Sequence, residues 1–104
     1  MTNHLSSSAN LEQAETIALR GLAFLLGEPR HLERFLSETG LSPDEIRANA
    51  GAREVLEAAL TVLVQDEALL LSFAANAGLS PEEVVTAHGE LATDGGRLRP
   101  QSSI

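Results

Sequence analysis

The chain has 104 residues, of which 43% are apolar, and its formal net charge is −8 at neutral pH. This length fits one small domain, because two independent hydrophobic cores need more chain. The sequence contains no cysteine, which excludes disulfides, thiolate metal sites and thiol nucleophiles. The negative charge opposes binding to nucleic acids and anionic membranes, since both depend on pairing phosphate groups with basic side chains.

Both ends of the chain are predicted to be disordered tails. Residues 1–9 contain neither Arg nor Lys and no apolar run, so they do not resemble a secretory signal. Residues 93–104 combine turn-forming and polar side chains. No stretch reaches the roughly 20 consecutive apolar residues of a membrane span. We therefore expect a cytoplasmic protein with a single folded domain over residues 10–92.

The first half of this domain is predicted to contain three helices. Asn10 can cap the first helix, whose apolar residues recur at helical spacing up to Gly27. Gly27 is predicted to end that helix in the left-handed conformation. Pro29 suits the first turn of the second helix, which stops near Gly40. Ser42 then caps a third, short helix.

The second half of the domain repeats the first at an offset of thirty-eight positions. Phe35 falls on Phe73, and residues 40–43 fall on residues 78–81 with the same sequence, Gly-Leu-Ser-Pro. A repeat of this length is typical of one supersecondary unit used twice. The alternative is chance similarity between two helical segments rich in Leu and Ala. On the first interpretation, Gly40 and Gly78 both have positive φ and end a helix.

These patterns predict an all-α fold. No segment alternates apolar and polar residues with period two, so no strand is expected. The architecture is then a compact bundle of five or six short helices, with two pseudo-symmetric three-helix halves if the repeat is structural. The centre of its core is predicted to contain Leu25, Leu32, Phe35, Leu60, Leu63, Leu70 and Phe73.

Three consecutive leucines, Leu69, Leu70 and Leu71, suggest an interaction surface. One helix cannot bury all three against a single neighbour. Either the segment is wedged between several helices, or one leucine belongs to an exposed patch that a second copy or another protein covers. We therefore expect a non-enzymatic protein-protein interaction or adaptor module, with these three residues as the candidate interface.

A helix-turn-helix DNA-binding protein is the alternative function, with residues 70–91 as the motif. The second helix of this motif begins with Pro81-Glu82-Glu83, and its carboxylates would face phosphates and bases. A basic face would have to be assembled from arginines elsewhere, which are Arg20, Arg30, Arg34, Arg47 and Arg53. The sequence therefore favours a packing corner between two helices over a DNA reader.

No catalytic, cofactor-binding, metal or small-molecule site is predicted. His4, His31 and His88 are far apart in sequence and lack the spacing of a helical metal site. The carboxylates are spread over helix faces, whereas general acid–base catalysis needs a desolvated group with a perturbed pKa. We therefore expect no enzyme.

A family resemblance rests on residues at turn and core positions. They are Phe35-Leu36, Thr39-Gly40-Leu41-Ser42-Pro43, Ile46-Arg47, Val55-Leu56, Asp66-Glu67, Leu70-Leu71 and Phe73. With this pattern the chain resembles a family of short bacterial proteins, the domain of unknown function 3572, over about residues 11–92. The resemblance implies a small all-helical protein and no catalytic residue.

Overall fold

The computed structural model describes residues 2–103 of the chain, and the side chains of residues 10–93. Within the described residues it forms six α-helices and no strand, which confirms the predicted all-α fold. The helices are α1 (Thr2–Leu26), α2 (Pro29–Thr39), α3 (Pro43–Ala48), α4 (Arg53–Gln65), α5 (Glu67–Ala77) and α6 (Pro81–Ser103). The predicted tails, residues 1–9 and 93–104, lie outside the residues whose side chains are described, except for the exposed Thr93.

Two local predictions for α1 are wrong. Asn10 lies inside α1 and does not cap it, because the helix begins at Thr2 and overrides a preference worth only about 1 kcal/mol. Gly27 follows the last residue of α1 without adopting a positive φ. Its amide donates to the carbonyl of Phe24 at 3.3 Å, and the chain then leaves through Glu28 in an extended conformation. Pro29 accounts for that conformation, since the residue before a proline avoids the helical region.

Gly40 and Gly78 both adopt the predicted left-handed conformation. Their φ angles are 76° and 72°, and they end α2 and α5. The amide of Gly40 donates to the carbonyl of Leu36 at 2.9 Å, which satisfies one of the last carbonyls of α2. A Cβ added at either glycine would meet nothing within 4 Å. The backbone conformation alone therefore explains the glycine at each turn.

Replacing Gly40 or Gly78 with Ala is expected to lower the free energy of unfolding by about 1 kcal/mol, through backbone strain without a steric clash. Urea unfolding of each variant measures this loss. Asn tolerates the left-handed region better than Ala, so Gly40→Asn and Gly78→Asn serve as matched controls with a smaller loss. Equal stability of the Ala and Asn variants would contradict the explanation.

One capping box begins the third helix of each half: one at Ser42, where the sequence predicts a cap, and one at Ser80. The amide of Ser42 donates to the carboxylate of Glu45 at 2.8 Å, and the amide of Glu45 donates to Ser42 Oγ at 3.1 Å. Ser80 and Glu83 make the same two bonds at the same two distances. Each box satisfies amides that have no partner within the helix.

The bounds of α1 and α4 do not follow the thirty-eight-residue offset, since α1 has 25 residues and α4 has 13, whereas those of the second helices do. α2 and α5 both have 11 residues, and their bounds differ by the offset at each end. α3 and α6 also begin at equivalent prolines, Pro43 and Pro81. However, α3 has 6 residues and ends at Ala48, whereas α6 continues and packs against both α1 and α4. α6 therefore occupies a central place for which α3 is too short.

The core lies between α1, α4 and α6, and it contains six of the seven residues that were predicted for its centre. The exception is Leu32, which is half-buried. Leu32 lines an open groove beside α3, because a helix as short as α3 does not cover that side of the bundle. The core also extends into the third helices through Ile46, Val84 and Leu91.

Gly21 of α1 lies close to side chains of α4 and α5. A Cβ added to this residue would lie 2.8 Å from Leu63 Cδ1, 3.5 Å from Leu60 Cδ2 and 3.7 Å from Phe73 Cζ. Real Cβ atoms do not come within 3.0 Å of another heavy atom without a shift of one of the two. The absence of a side chain at Gly21 therefore allows this packing.

Candidate functional site

The three leucines predicted as an interface do not form one surface. Leu69 and Leu70 are buried, with 8% and 9% of their surface exposed, whereas Leu71 is 49% exposed. Successive residues of a helix point about 100° apart, so the two buried leucines turn Leu71 towards solvent. Leu69 and Leu70 are therefore packed between helices, as the first alternative predicts. Leu71 is exposed, as the second alternative predicts.

The proposed helix-turn-helix segment corresponds to α5, the turn at Gly78 and α6. The exposed residues at the start of α6 include Glu82 and Glu83, and the carboxylate of Glu83 accepts the amide of Ser80. The opposite side of α6 is buried through Val84, against the rest of the bundle. The face that this helix offers to solvent therefore begins with carboxylates, which a DNA groove repels.

The arginines that a DNA-binding face would need are held by separate partners. Four of the arginines in residues 10–93 make the following polar contacts. Arg34 donates to Glu38 and Asp66, Arg47 to Asp44, Arg53 to Glu15, and Arg20 to the carbonyl of Ala77. Three of them are thus paired with carboxylates, which removes much of their attraction for phosphate.

Asp66 holds the corner between α4 and α5. The two helices meet at a bend of 113°, and the carboxylate of Asp66 accepts the amide of Leu69 at 3.1 Å. This bond, together with the ion pair to Arg34, lowers the pKa of Asp66 below its ordinary value. The ion pair also connects α2 to this corner. The carboxylate of Asp66 is thus used by the helix cap and the ion pair, and both interactions stabilise the fold.

The two described histidines lie in different surroundings. The ring of His31 stacks on Phe24 with centroids 4.9 Å apart, and His31 Nε2 lies 3.8 Å from a carboxylate oxygen of Glu28. His88 Nε2 lies 2.9 Å from Thr61 Oγ1, between α6 and α4. Among the residues that the structure describes, no three His, Asp or Glu side chains come close enough to hold a metal ion. His4 lies outside the described side chains.

Two surface grooves carry several carboxylates. One, of about 410 Å³, separates the end of α2 from α4 and is lined by Glu38, Glu54 and Glu57. The other, of about 270 Å³, lies between α1 and α6 and includes Glu82 and Glu90. Both grooves are open to solvent, so their carboxylates offer electrostatic attraction to cations without the desolvation that acid–base catalysis needs.

An apolar stripe that the sequence does not predict lies on the outer face of α1. It consists of Leu19, Ala23 and Leu26, and we call it the α1 stripe. Leu19 is 48% exposed, Leu26 is 39% exposed, and Ala23 between them is also exposed. Their spacing places all three on one side of the helix, where they adjoin the buried Leu22, whereas the buried Leu25 lies on the core side. The leucine pattern of α1 alone does not separate these residues from the buried leucines of the same helix.

The two ends of the α1 stripe differ in charge. Glu12 is exposed two turns before Leu19 on the same side of α1. At the other end, Leu26 borders a groove of about 300 Å³ together with Leu32, Ile46 and Arg47. The apolar surface therefore extends from α1 towards α3, with a carboxylate near its beginning and a guanidinium near its end.

A family model described as "Protein of unknown function (DUF3572)" matches residues 11–94. No curated protein and no solved structure shows significant similarity to the chain. Within the described part of the chain, no single helix has both the length and the apolar composition to cross a membrane.

Proposed function

Since the chain belongs to the family of unknown function DUF3572, we propose a function from its surface: a protein-protein interaction module that binds through the α1 stripe. The observation that carries this proposal is the exposure of Leu19 and Leu26 on one side of α1. Single exposed leucines are ordinary on protein surfaces, whereas a contiguous apolar patch with a polar rim is typical of interaction sites.

The exposed surface of the α1 stripe can contribute free energy to binding without contributing to folding. Full burial of a leucine side chain contributes about 1.5–3 kcal/mol, and Leu19 and Leu26 still expose about half and two-fifths of their surface. Covering the two residues would therefore add about 1 kcal/mol each to association. Because the core does not depend on their exposed atoms, a substitution at these positions can remove binding while the fold persists.

We also propose that the module is not an enzyme. The carboxylates that line the two grooves face solvent, and the described histidines contact Phe24, Glu28 and Thr61. Neither arrangement resembles a nucleophile with an adjacent base, or a desolvated acid beside a substrate cavity. Recognition of a partner surface requires none of these features.

Binding through the α1 stripe is tested by comparing matched variants in the native cell. The full chain is tagged, cross-linked in living cells and purified in three forms: wild type, Leu19→Glu/Leu26→Glu, and Leu71→Glu. We expect the double variant to capture at least about tenfold less partner than the wild type. The two leucines together contribute roughly 2 kcal/mol to association, and the variant loses this contribution. Leu71 is as exposed as Leu19 but lies on α5, so Leu71→Glu should bind as the wild type does.

Two results would overturn this proposal. Equal capture by the wild type and the double variant would show that the α1 stripe is not the contact surface. Loss of capture with Leu71→Glu alone would place the interface on α5, at the leucines that the sequence first indicated. Circular dichroism of each purified variant confirms that a loss of capture reflects a change of surface and not unfolding.

A further inference from the structure

Resting on the proposed function, we infer that the partner of the α1 stripe is an acidic amphipathic helix of another protein. This helix packs its apolar side chains against the stripe and places a carboxylate beside Arg20. Three observations support the assignment: a groove that continues the stripe, the charge of Arg20 at that groove, and the location of carboxylates at other grooves of the molecule.

A groove lies alongside the α1 stripe, between α1 and α5. Its volume is about 330 Å³, and its lining residues are Arg20, Ala23, Phe24, Phe73, Asn76 and Ala77. Ala23 belongs both to the groove and to the stripe, so the two form one continuous surface. Phe24 is half-buried and its ring centroid lies 5.5 Å from that of the buried Phe73, which gives the groove an apolar wall held by the core. A partner side chain that covers the stripe can therefore enter the groove as well.

Arg20 brings to this groove a positive charge that no carboxylate of the described residues neutralises. Its guanidinium donates to the carbonyl of Ala77 at 3.2 Å, and since this group has five N–H donors, others remain for a partner. By contrast, Arg34, Arg47 and Arg53 each form an ion pair with a carboxylate. A guanidinium binds a carboxylate through two parallel hydrogen bonds. The side chain that matches Arg20 is therefore Asp or Glu.

The charge of this groove differs from the charge of the protein as a whole, which is −8. The grooves between α1 and α6 and between α2 and α4 are each lined by three carboxylates, whereas the groove beside the stripe is lined by none. Glu12, on the exposed side of α1, lies about 12 Å along the helix axis from Arg20. This separation exceeds the Debye length of about 8 Å at physiological ionic strength, so Glu12 weakens the attraction of Arg20 for a carboxylate only slightly.

A helix is the partner element that fits the α1 stripe. Leu19, Ala23 and Leu26 recur at positions i, i+4 and i+7, so the stripe is an apolar ridge about 10 Å long. Another helix presents apolar side chains at the same spacing, and such a face packs into the groove beside a ridge. The side chains that border its apolar face then lie next to the groove between α1 and α5. One carboxylate among them reaches Arg20.

A display library of helical peptides tests the charge of the partner. Each peptide has about 18 residues, long enough to form a helix, with leucine fixed at i, i+4 and i+7 and with Glu, Lys or Gln at the bordering positions. The library is selected on the immobilised full chain at about 0.15 M salt and then sequenced. We expect the wild type to enrich Glu over Lys at a bordering position by at least about fivefold, because a hydrogen bond to a charged group favours binding by that factor or more.

Variants of Arg20 and of a second arginine provide the contrasts. Arg20→Gln keeps a donor for the carbonyl of Ala77 but removes the charge, so the preference for Glu should disappear, and Arg20→Glu should invert it to Lys. Arg30 is also exposed but lines none of the grooves described above, so Arg30→Gln should keep the wild-type preference. Circular dichroism confirms that each variant is folded. Equal enrichment of Glu and Lys by the wild type, or a preference for Glu that Arg20→Gln retains, would overturn the acidic partner.

The failure of this inference is distinguishable from failure of the proposed function. Leu19→Gln/Leu26→Gln removes apolar surface without a change of charge and should retain at least about tenfold fewer peptides. If retention depends on these leucines but not on Arg20, the acidic partner is wrong and the interaction surface stands. If the wild type retains no peptide while cellular capture depends on Leu19 and Leu26, a helix is the wrong partner and the surface again stands. If neither retention nor capture depends on the two leucines, both proposals are wrong.

Discussion

Replacing Phe73 with Ala is expected to lower the free energy of unfolding by about 3–5 kcal/mol, a large share of the stability of a small domain. Phe73 is almost fully buried, and its ring centroid lies 5.5 Å from that of Phe24 on α1. The end of the ring also reaches the space beside Gly21. Removal of this side chain would open a cavity between α5 and α1 that rigid helices cannot fill by collapse.

Urea unfolding monitored by circular dichroism measures the loss, since the chain has no Trp or Tyr to report by fluorescence. Phe73→Leu keeps most of the volume and is the matched control, with an expected loss of about 1.5 kcal/mol or less. Phe35 is equally buried at the equivalent position, so Phe35→Ala should lose a similar amount. A loss of only about 1 kcal/mol for Phe73→Ala would show that the core relaxes around the cavity.

Gly21→Val is expected to destabilise the protein by about 1–3 kcal/mol, although Val has the higher helix propensity. The reason is steric: the first carbon of any side chain at this position would lie 2.8 Å from Leu63 Cδ1. Leu63 is fully buried, so its methyl group can move only if the side chains around it repack. This overpacking strains the contact between α1 and α4.

The matched control for this substitution is Gly89→Val. Gly89 is an exposed glycine of α6, and a Cβ there would meet nothing within 4 Å. Its replacement should therefore gain a few tenths of a kcal/mol from helix propensity. Thermal unfolding distinguishes the two positions, because 1 kcal/mol shifts the Tm of a domain this size by about 4–8 °C. Shifts in the same direction for both variants would contradict the steric explanation.

The features that the sequence predicted correctly depend on residues close together in the chain. The capping boxes at Ser42 and Ser80 need only a carboxylate three residues later. The left-handed turns at Gly40 and Gly78 need only the glycine and the end of the preceding helix. Each of these features is determined within one helical turn.

The features that the sequence did not predict depend on which surfaces the bundle covers. Leu32 and Leu26 remain partly exposed because α3 ends after 6 residues and leaves a groove beside them. Nothing in the leucine pattern of α1 distinguishes Leu19 from the buried Leu22 until the positions of α4 and α6 are known. The sequence therefore indicates an interface at Leu69, Leu70 and Leu71 in α5, and it does not indicate the stripe on α1.

The contact between Thr61 and His88 gives α6 a polar attachment to α4. Thr61 Oγ1 lies 2.9 Å from the carbonyl of Glu57 in its own helix and 2.9 Å from His88 Nε2 on α6. Because a hydrogen bond is directional, whereas apolar contact is not, this shared oxygen favours one register of α6 along α4.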